Sequence, residues 1–294
     1  MKSAQAERSE TVKEFAFTTH DFERVRALIH RKAGIALAGS KQEMVYSRLA
    51  RRLRAIGLSS FAQYLNALES GADAREWEAF TNALTTNLTS FFRESHHFPL
   101  LADHLKKVSQ PIDIWCSASS TGEEPYSIAM TACEAFNSLT PPVRIVATDI
   151  DTNVLGTAAA GVYGMDRLEK LSPERARKFF LKGKGAQDGL ARVRPELRAL
   201  VTFRPLNLLE EGWHLKGPFD IIFCRNVMIY FDKPTQSKIL ARFAPLMKSD
   251  GLLFAGHSEN FLYVSDAFRL RGKTVYQLDT DPKKQSMHTA RRGA

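Results

Sequence analysis

Two adjacent carboxylates, Glu123 and Glu124, follow Gly122 at a point where an apolar strand is expected to pass into a helix. The first amides of a helix are unpaired, and glycine lets the backbone approach a ligand closely. The carboxylates would repel a phosphate, and the G-x-G-x-x-G pattern of pyrophosphate sites is absent. A cationic ligand without phosphate, such as S-adenosylmethionine with its sulfonium and ammonium groups, fits better. The alternative is that both glutamates only stabilise the helix start through its dipole.

Asp149 ends the next predicted strand, about one strand–helix–strand unit beyond Gly122. An acidic residue at that place accepts hydrogen bonds from the hydroxyls of a ribose. Aspartate also caps loops, and Asp151, which is followed by Thr-Asn, is assigned to such capping. Taken together, Gly122 and Asp149 favour a ligand that contains adenosine.

Four further polar residues lie where a ligand is expected. Arg93 belongs to the segment 85–98, which links a region of predicted helices to a region in which strands and helices alternate. Such junctions commonly line clefts. Its guanidinium is suited to pair with a carboxylate of donor or acceptor. Arg225, Asn226 and Tyr230 follow an apolar strand, and ligands of parallel sheets bind beyond the carboxyl ends of the strands.

Metal and thiol chemistry are not indicated. His96 and His97 are adjacent, but no cysteine or carboxylate set accompanies them at the spacing of metal ligands, and His257 is assigned a structural role. The three cysteines are far apart and form no C-x-x-C pair, so we expect buried apolar side chains instead of nucleophiles or ligands. We therefore predict no bound metal.

The elements that must position these residues fall into two regions. Residues 18–85 show apolar residues at three- and four-residue steps without an intervening strand, which predicts a small all-helical domain after a frayed tail, 1–17. After a linker, 86–110, strands alternate with helices across 111–280, which predicts a parallel α/β sheet. The expected strands are 112–116, 143–149, 219–224 and 251–256, with 271–278 as an antiparallel edge strand and helices at 123–136, 153–160 and 235–247.

One stretch interrupts the alternation. Residues 162–200 are too long for an ordinary connection and are interpreted as an inserted subdomain with a helix at 173–181 and short strands. The basic tail 281–294 is predicted to be disordered. No apolar run approaches the roughly 20 residues of a membrane span, and the N-terminus has no apolar signal core, so we expect a cytoplasmic protein. The net charge of +9 indicates an acidic partner without identifying it.

Six segments resemble the CheR-type chemotaxis receptor methyltransferases, in order and at the expected spacing from about residue 20 to residue 278. They read TTNLTSFFRESHHF, STGEEPYSIAM, ATDIDTNVL, NLLE, FDIIFCRNVMIYFDK and GLLFAGHSENF. The resemblance implies a Rossmann-like S-adenosylmethionine methyltransferase domain with an inserted small β-subdomain, preceded by a small all-helical domain. It also implies transfer of a methyl group to glutamate side chains of chemotaxis receptors, with S-adenosylhomocysteine as product, for sensory adaptation.

The resemblance also implies roles for individual residues. Asp149 would hold the ribose, Asn207 and Leu208 would lie near the adenine, and Glu123 would remain a helix-start charge. Arg93 and Tyr230 are the positions closest to the transfer chemistry. The implied donor site comprises Asn87, Thr89, Arg93, Glu124, Asp149, Asn207, Leu208, Arg225 and Asn226.

Two surfaces are candidates for docking the receptor. The helix near residues 43–56 carries Arg48, Arg51 and Arg52, whose charge suits an acidic receptor helix, although a solvated basic face is the alternative. The β-subdomain resembles a module that docks a peptide from the receptor C-terminus by edge-strand addition. Gly183, Gly185, Gly189 and Arg192 match that module, whereas Lys182 stands where arginine is expected.

Methyl transfer to a glutamate needs no general base, because a carboxyl group with a pKa of about 4.3 is already ionised at neutral pH. The enzyme must mainly align the methyl group with the acceptor oxygen and exclude water. A nucleic-acid methyltransferase is disfavoured, because the basic residues lack interleaved aromatic residues. A donor-binding regulatory module without turnover is a further alternative. We expect a monomer that binds no nucleic acid.

Overall fold

The computed structural model describes residues 13–279, so residues 1–12 and the expected basic tail 281–294 lie outside the described residues. The first unit is helical, as predicted for 18–85, and a 3-10 turn at Gly39–Lys41 precedes its second helix. Within residues 13–279, no helix is both long and apolar enough to cross a membrane. The four helices are α1 (Thr19–Ala33), α2 (Gln42–Ile56), α3 (Phe61–Glu69) and α4 (Ala74–Leu84).

Local sequence signals explain where α1 begins and ends. Thr18 and Asp21 form a capping box, in which the Thr18 side chain accepts from the Asp21 amide and Asp21 accepts in return. Gly34 ends the helix in the left-handed conformation, with φ of 71°. The preceding segment 13–17, expected to belong to a frayed tail, is instead held down. Phe15 is buried, with its ring centroid 6.3 Å from that of Phe61.

The second unit is an α/β layer structure. Its first helix, α5 (His97–Leu105), lies in the stretch that was expected to be a linker, and it packs on α6. The other elements outside the inserted segment are β1 (Ile112–Ser117), α6 (Glu123–Ala135), β2 (Val143–Asp149), α7 (Thr152–Ala160), β6 (Val201–Pro205), β7 (Phe219–Cys224), α10 (Lys233–Phe243), β8 (Met247–Ala255), β9 (Phe268–Gly272) and β10 (Val275–Leu278).

The seven strands are ordered β6-β2-β1-β7-β8-β10-β9. The first five are parallel, and β10 is antiparallel to both β8 and β9. The prediction of one antiparallel edge strand at 271–278 was therefore wrong in detail, because the chain turns at Lys273 and Thr274 and β9 occupies the edge. The central position of β1 places the carboxyl ends of β1, β2 and β7 side by side, where ligands of such sheets bind.

The inserted segment forms the expected subdomain. Its three strands, β3 (Val162–Gly164), β4 (Phe180–Lys182) and β5 (Leu190–Val193), form an antiparallel sheet in the order β3-β5-β4, so β3 and β4 are its two edges. Phe179 and Phe180 are buried and join the core beneath the main sheet. The helices of this segment are α8 (Pro173–Phe179) and α9 (Pro195–Arg198).

Candidate active site

A cavity of about 380 Å³ lies between the helical unit and the carboxyl ends of β1, β2 and β7, a volume within the usual range for small-molecule sites. The link between α1 and α2 forms one wall, and the segment 84–89 forms another. All of the residues implied as the donor site line it, together with Tyr230. They are Asn87, Thr89, Arg93, Glu124, Asp149, Asn207, Leu208, Arg225 and Asn226.

The turn after β1 needs a glycine at position 122. Gly122 has φ of 97°, and a Cβ added there would lie 2.8 Å from the Cβ of Ala158 and from the Oη of Tyr163. Tyr163 itself donates a hydrogen bond to the Thr121 carbonyl over 2.7 Å. The close packing of α7 and β3 against this turn therefore fixes the backbone that leads into α6.

The two glutamates of this turn have different roles. Glu124 faces the cavity, where its carboxylate pairs with the buried guanidinium of Arg225. Burial raises the pKa of Glu124, and the charge of Arg225 opposes that shift. Glu123 is fully buried, pairs with Arg167 and accepts from the Thr121 hydroxyl over 2.6 Å. It is therefore a buried ion-pair partner that ties the subdomain to α6, and not a free helix-start charge.

Asp149 lies at the end of β2 and is 6% exposed. Its carboxylate accepts from the backbone amides of Ser120, over 2.8 Å, and Asp151, over 2.9 Å. Burial raises the pKa of Asp149 to about 6, although these amide hydrogen bonds act in the opposite direction. A carboxylate held this way at the cavity wall is suited to accept from ribose hydroxyls.

Asp151 extends this arrangement into a closed ring of hydrogen bonds. Its Oδ2 accepts from the Thr85 hydroxyl and from the side-chain Nδ2 of Asn87, both over 2.8 Å. Its Oδ1 caps α7. The ring closes through Ser120, whose hydroxyl donates to the Asn87 carbonyl over 3.0 Å. The cap of α7 was predicted for Asp151 from the residues that follow it, whereas its contact with Asn87 could not be predicted from spacing.

Arg225 is the charged centre of the site, and its side chain is 1% exposed. Besides Glu124, it pairs with Glu94 over 3.2 Å and donates to the Arg93 carbonyl. Burial alone would lower the pKa of Arg225, but the two carboxylates raise it. Burial would raise the pKa of Glu94, but hydrogen bonds from His257 and Asn226 and the charge of Arg225 lower it to about 2.

Comparison with known proteins identifies the family. Residues 87–277 match the model described as CheR methyltransferase, SAM binding domain, and residues 20–85 match CheR methyltransferase, all-alpha domain. The chain belongs to the CheR methyltransferase family. The chemotaxis protein methyltransferase of Escherichia coli strain K12 is 54% identical over 90% of this chain and 93% of its own length. Chemotaxis protein methyltransferase 2 of Pseudomonas aeruginosa is 55% identical over 90% and 94%.

Membership of the CheR family confirms the predicted fold class, enzyme class and donor. The cavity fits S-adenosylmethionine in one further respect. Arg225 Nε is buried and has no hydrogen-bond partner among residues 13–279, although the other nitrogens of this guanidinium are paired. A buried N–H of this kind at the cavity wall is suited to a ligand oxygen. The cavity thus offers a carboxylate for the ammonium group, a carboxylate for the ribose and a guanidinium N–H.

The helical unit is bonded to segments that carry the cavity walls of this CheR-family chain. The Ala36 amide donates to the Tyr230 carbonyl over 2.8 Å, and Asn207 Nδ2 donates to the Lys32 carbonyl over 2.8 Å. His30 Nε2 lies 3.1 Å from Asp232, the cap of α10. Asn207 is therefore bonded to the helical unit in addition to lining the cavity.

A buried glutamate missed by the sequence analysis holds the loop that carries Asn226 and Tyr230. Glu259 is 4% exposed and accepts from the amides of Asn226, over 2.9 Å, and Met228, over 2.7 Å. Asn226 has φ of 59°, and these contacts fix that conformation. Glu259 belongs to the segment GLLFAGHSENF, and nothing in the spacing of that segment indicated this contact.

Two of the arginines expected to dock the receptor are engaged within the chain. Arg48 donates to the carbonyls of Ala83 and Thr85 at the end of α4. Arg52 forms a two-pronged ion pair with Glu76. Arg51, in contrast, is exposed.

The backbone conformation of the subdomain requires glycine at three positions. A Cβ at Gly183 would lie 1.9 Å from the Gln187 carbonyl oxygen, while Gly185 and Gly189 have φ of 57° and 81°. Arg192, on β5, is exposed, and so are Leu181 and Lys182 on the edge strand β4. The glycines therefore shape the turn beside β4, and the exposed side chains are the ones available to a docked peptide.

The histidine pair has a carboxylate neighbour that the sequence analysis did not recognise. Donor atoms of Glu94, His96 and His97 lie within 4.8 Å of one another. Glu94 already accepts from Asn226 and His257 and pairs with the guanidinium of Arg225. Burial lowers the pKa of His97 to about 4. These contacts assign Glu94 to holding Arg225 and Asn226.

Proposed function

We propose that this chain transfers the methyl group of S-adenosylmethionine to glutamate side chains on the cytoplasmic domain of chemotaxis receptors, giving glutamyl methyl esters for sensory adaptation. The observation that carries the proposal is the grouping of Glu124, Asp149 and Arg225 around one cavity that is also lined by the half-buried Tyr230. Chemotaxis protein methyltransferases that are 54% and 55% identical over nine tenths of the chain support the choice of substrate class.

The chain's own residues supply binding and alignment. When bound, S-adenosylmethionine supplies an electrophilic methyl group on a sulfonium sulfur. Glu124 and Asp149 hold the donor's ammonium group and ribose, and both residues are fixed from behind by Arg225 and by backbone amides. The acceptor carboxylate arrives ionised, so no residue has to remove a proton from it. Rate acceleration then comes from alignment and from exclusion of water.

Tyr230 is the best-placed residue to orient the acceptor. It is half-buried at the cavity wall, and no hydrogen bond of its hydroxyl is found among residues 13–279. Arg93 also lines the cavity, but its guanidinium donates to the Leu88 carbonyl over 2.7 Å and holds that loop. We therefore assign the orientation of the acceptor carboxylate to Tyr230. Arg93 has the role of holding the loop at Leu88 beside the cavity.

Receptor docking involves two surfaces. Of Arg48, Arg51 and Arg52, Arg51 is the exposed one, and it carries the electrostatic contact with an acidic receptor helix. The edge strand β4, with exposed Leu181 and Lys182, is suited to add a peptide from the receptor C-terminus as a further strand.

The decisive experiment uses methyl-labelled donor and membranes that contain a chemotaxis receptor, followed by mild base. We expect label on the receptor that base releases as methanol, because carboxyl methyl esters hydrolyse under these conditions. Label that resists base would assign a different acceptor group, and donor binding without label would reject catalysis. A receptor that lacks its C-terminal segment tests the peptide contact, and we expect methylation to become slower at low receptor concentration.

A further inference from the structure

Two large apolar side chains are exposed at the mouth of the donor cavity. Leu88 is 77% exposed and Ile229 is 51% exposed, whereas most large apolar residues of the described chain are buried. Both line the cavity, and each is next to a residue of the site, Leu88 between Asn87 and Thr89, and Ile229 before Tyr230. Exposed apolar side chains grouped at a cavity mouth indicate a surface that is covered in a complex.

The backbone that presents these two side chains is anchored. The Leu88 carbonyl accepts from Arg93 Nη1 over 2.7 Å. Ile229 lies in the 3-10 turn Met228–Tyr230, whose first amide is held by the buried carboxylate of Glu259 over 2.7 Å. Both side chains are therefore held out into solvent by fixed backbone, which reduces the ordering cost when a partner covers them.

An apolar surface at the cavity mouth would favour the reaction by excluding water. The reaction joins a cationic donor to an anionic acceptor, so charge is lost on the way to the transition state. Water stabilises the separated charges, and a site that excludes water removes that ground-state stabilisation. The free enzyme leaves Leu88 and Ile229 open to solvent, so the cover over the reacting atoms must come from the acceptor protein itself.

We propose that Leu88 and Ile229, with Met44 of α2, form an acceptor collar that packs on the receptor helix bearing the reactive glutamate and seals the cavity against water. The inference rests on the proposed function. The occupant is a helix with one carboxylate entering the cavity and small apolar side chains around it. That composition fits because Tyr230 lines the same cavity and can meet the carboxylate, whereas the side chains of Leu88, Ile229 and Met44 are apolar.

The test measures the steady-state kinetics of the full-length chain with receptor-containing membranes, and donor affinity by calorimetry. Leu88→Ser and Ile229→Ser should each lower kcat/KM for the receptor by about tenfold, because each removes the burial of one large apolar side chain. Donor affinity should remain within about twofold of the unmodified chain. Leu88→Met, which keeps an apolar side chain of similar size, should restore most of the activity.

Tyr263→Ser is the matched control, because Tyr263 is 92% exposed and does not line the cavity. It should leave both readouts unchanged. Unchanged kcat/KM in Leu88→Ser and Ile229→Ser would overturn the collar, and so would a loss of donor affinity in step with the loss of activity. Failure of the unmodified chain to place base-labile methyl groups on any receptor would instead overturn the proposed function, so the two failures are distinguishable.

Discussion

The Tyr230 hydroxyl is the group on which the proposed alignment of the acceptor depends. Tyr230→Phe removes one hydrogen bond to a carboxylate and leaves the ring, the Ala36 contact and the cavity wall in place. A hydrogen bond to a charged group contributes about 1.5–3 kcal/mol, so kcat should fall by about tenfold or more. Donor affinity, measured by calorimetry, should stay close to that of the unmodified chain. An unchanged kcat would reject the role of this hydroxyl.

Asp149 makes donor binding sensitive to pH. Burial raises the pKa of Asp149 to about 6, so its carboxylate is ionised at neutral pH and becomes protonated as the pH falls through that value. A protonated carboxyl group accepts ribose hydroxyls less well, and donor affinity should therefore fall by about tenfold between roughly pH 7 and about pH 5. The acceptor glutamates, with an ordinary pKa of about 4.3, stay mostly ionised over this range.

Asp149→Asn provides the control for that titration. The pKa of Glu124 is also raised by burial, so a pH dependence alone would not assign the group. The variant should bind donor more weakly at neutral pH and should lose the dependence on pH. If the dependence survives in the variant, a group other than Asp149 titrates, and Glu124 and Glu259, whose pKa values are also raised by burial, are the candidates.

At the scale of elements, Asp151 joins the segment 84–89, the end of β2 and the start of α7, and the first two of these line the donor cavity. Asp151→Asn should keep the cap of α7, because asparagine caps helices as well as aspartate does. The side-chain amide nitrogen of the new asparagine would then face the side-chain amide nitrogen of Asn87, so that two donors would meet. The side chain of Asn87 would therefore turn and present a different atom to the cavity. Donor affinity should fall by about tenfold while the melting temperature changes little.

Asp73→Asn is the matched control for this substitution. Asp73 caps α4 through the amides of Arg75 and Glu76 and does not line the cavity. Donor affinity should be unaffected in that variant. Equal effects of the two substitutions would mean that Asp151 acts only as a helix cap.

The face of α2 that meets the receptor can be resolved by comparing neighbouring arginines. Arg52→Glu places a second carboxylate against Glu76 and should lower stability by about 2 kcal/mol, or Tm by several degrees. Arg51→Glu changes an exposed charge and should leave Tm nearly unchanged. It should raise KM for the receptor, and the effect should shrink as salt is added. Equal receptor kinetics for Arg51→Glu and the unmodified chain would exclude Arg51 as the electrostatic contact.

The arginines of α2 separate what local sequence predicts from what depends on contacts between distant residues. Spacing along α2 correctly predicted the helix and its end at Gly57, because both depend on nearby residues. It could not reveal that Arg52 meets Glu76, which lies on α4 and 24 residues away. The same limit hid Glu94 and Glu259, whose partners lie 132 and 33 residues away. The helix α5 was missed because its histidines and proline resemble a link, although its apolar side chains pack on the core.

Three strands of the parallel sheet, β1, β2 and β7, were predicted almost to the residue, since each is a short apolar run bounded by polar residues, as at Phe219–Cys224. The strand expected at 251–256 begins earlier, at Met247, because its first half is polar and gives no apolar signal. The hairpin of β9 and β10 was not, because Phe268–Gly272 has three exposed residues and little periodicity of its own. Candidate donor-binding residues such as Asp149 could be predicted, because the end of a strand is a local feature of the sequence. Their proximity to the helical unit is a property of the assembled chain.

At the scale of the whole molecule, the donor cavity is shared by two units, so donor binding should hold them together. The link between α1 and α2 supplies Ile35, Ala36 and Leu37 to the cavity wall, and the Ala36 amide is bonded to Tyr230. If opening of this junction releases the donor, a donor concentration of about 100 times its Kd stabilises the closed form by about 2.7 kcal/mol.

Amide hydrogen exchange of the full-length chain, with and without S-adenosylhomocysteine, measures this coupling directly. The Ala36 amide should exchange up to about a hundredfold more slowly when ligand is bound, because exchange requires the junction to open. Amides of α3, which does not line the cavity, should be unaffected and serve as the internal control. Protection of the turn at 118–124 without protection at 33–38 would mean that the catalytic unit binds the donor alone. In that case the helical unit would act only in receptor docking, through Arg51 and the collar residue Met44.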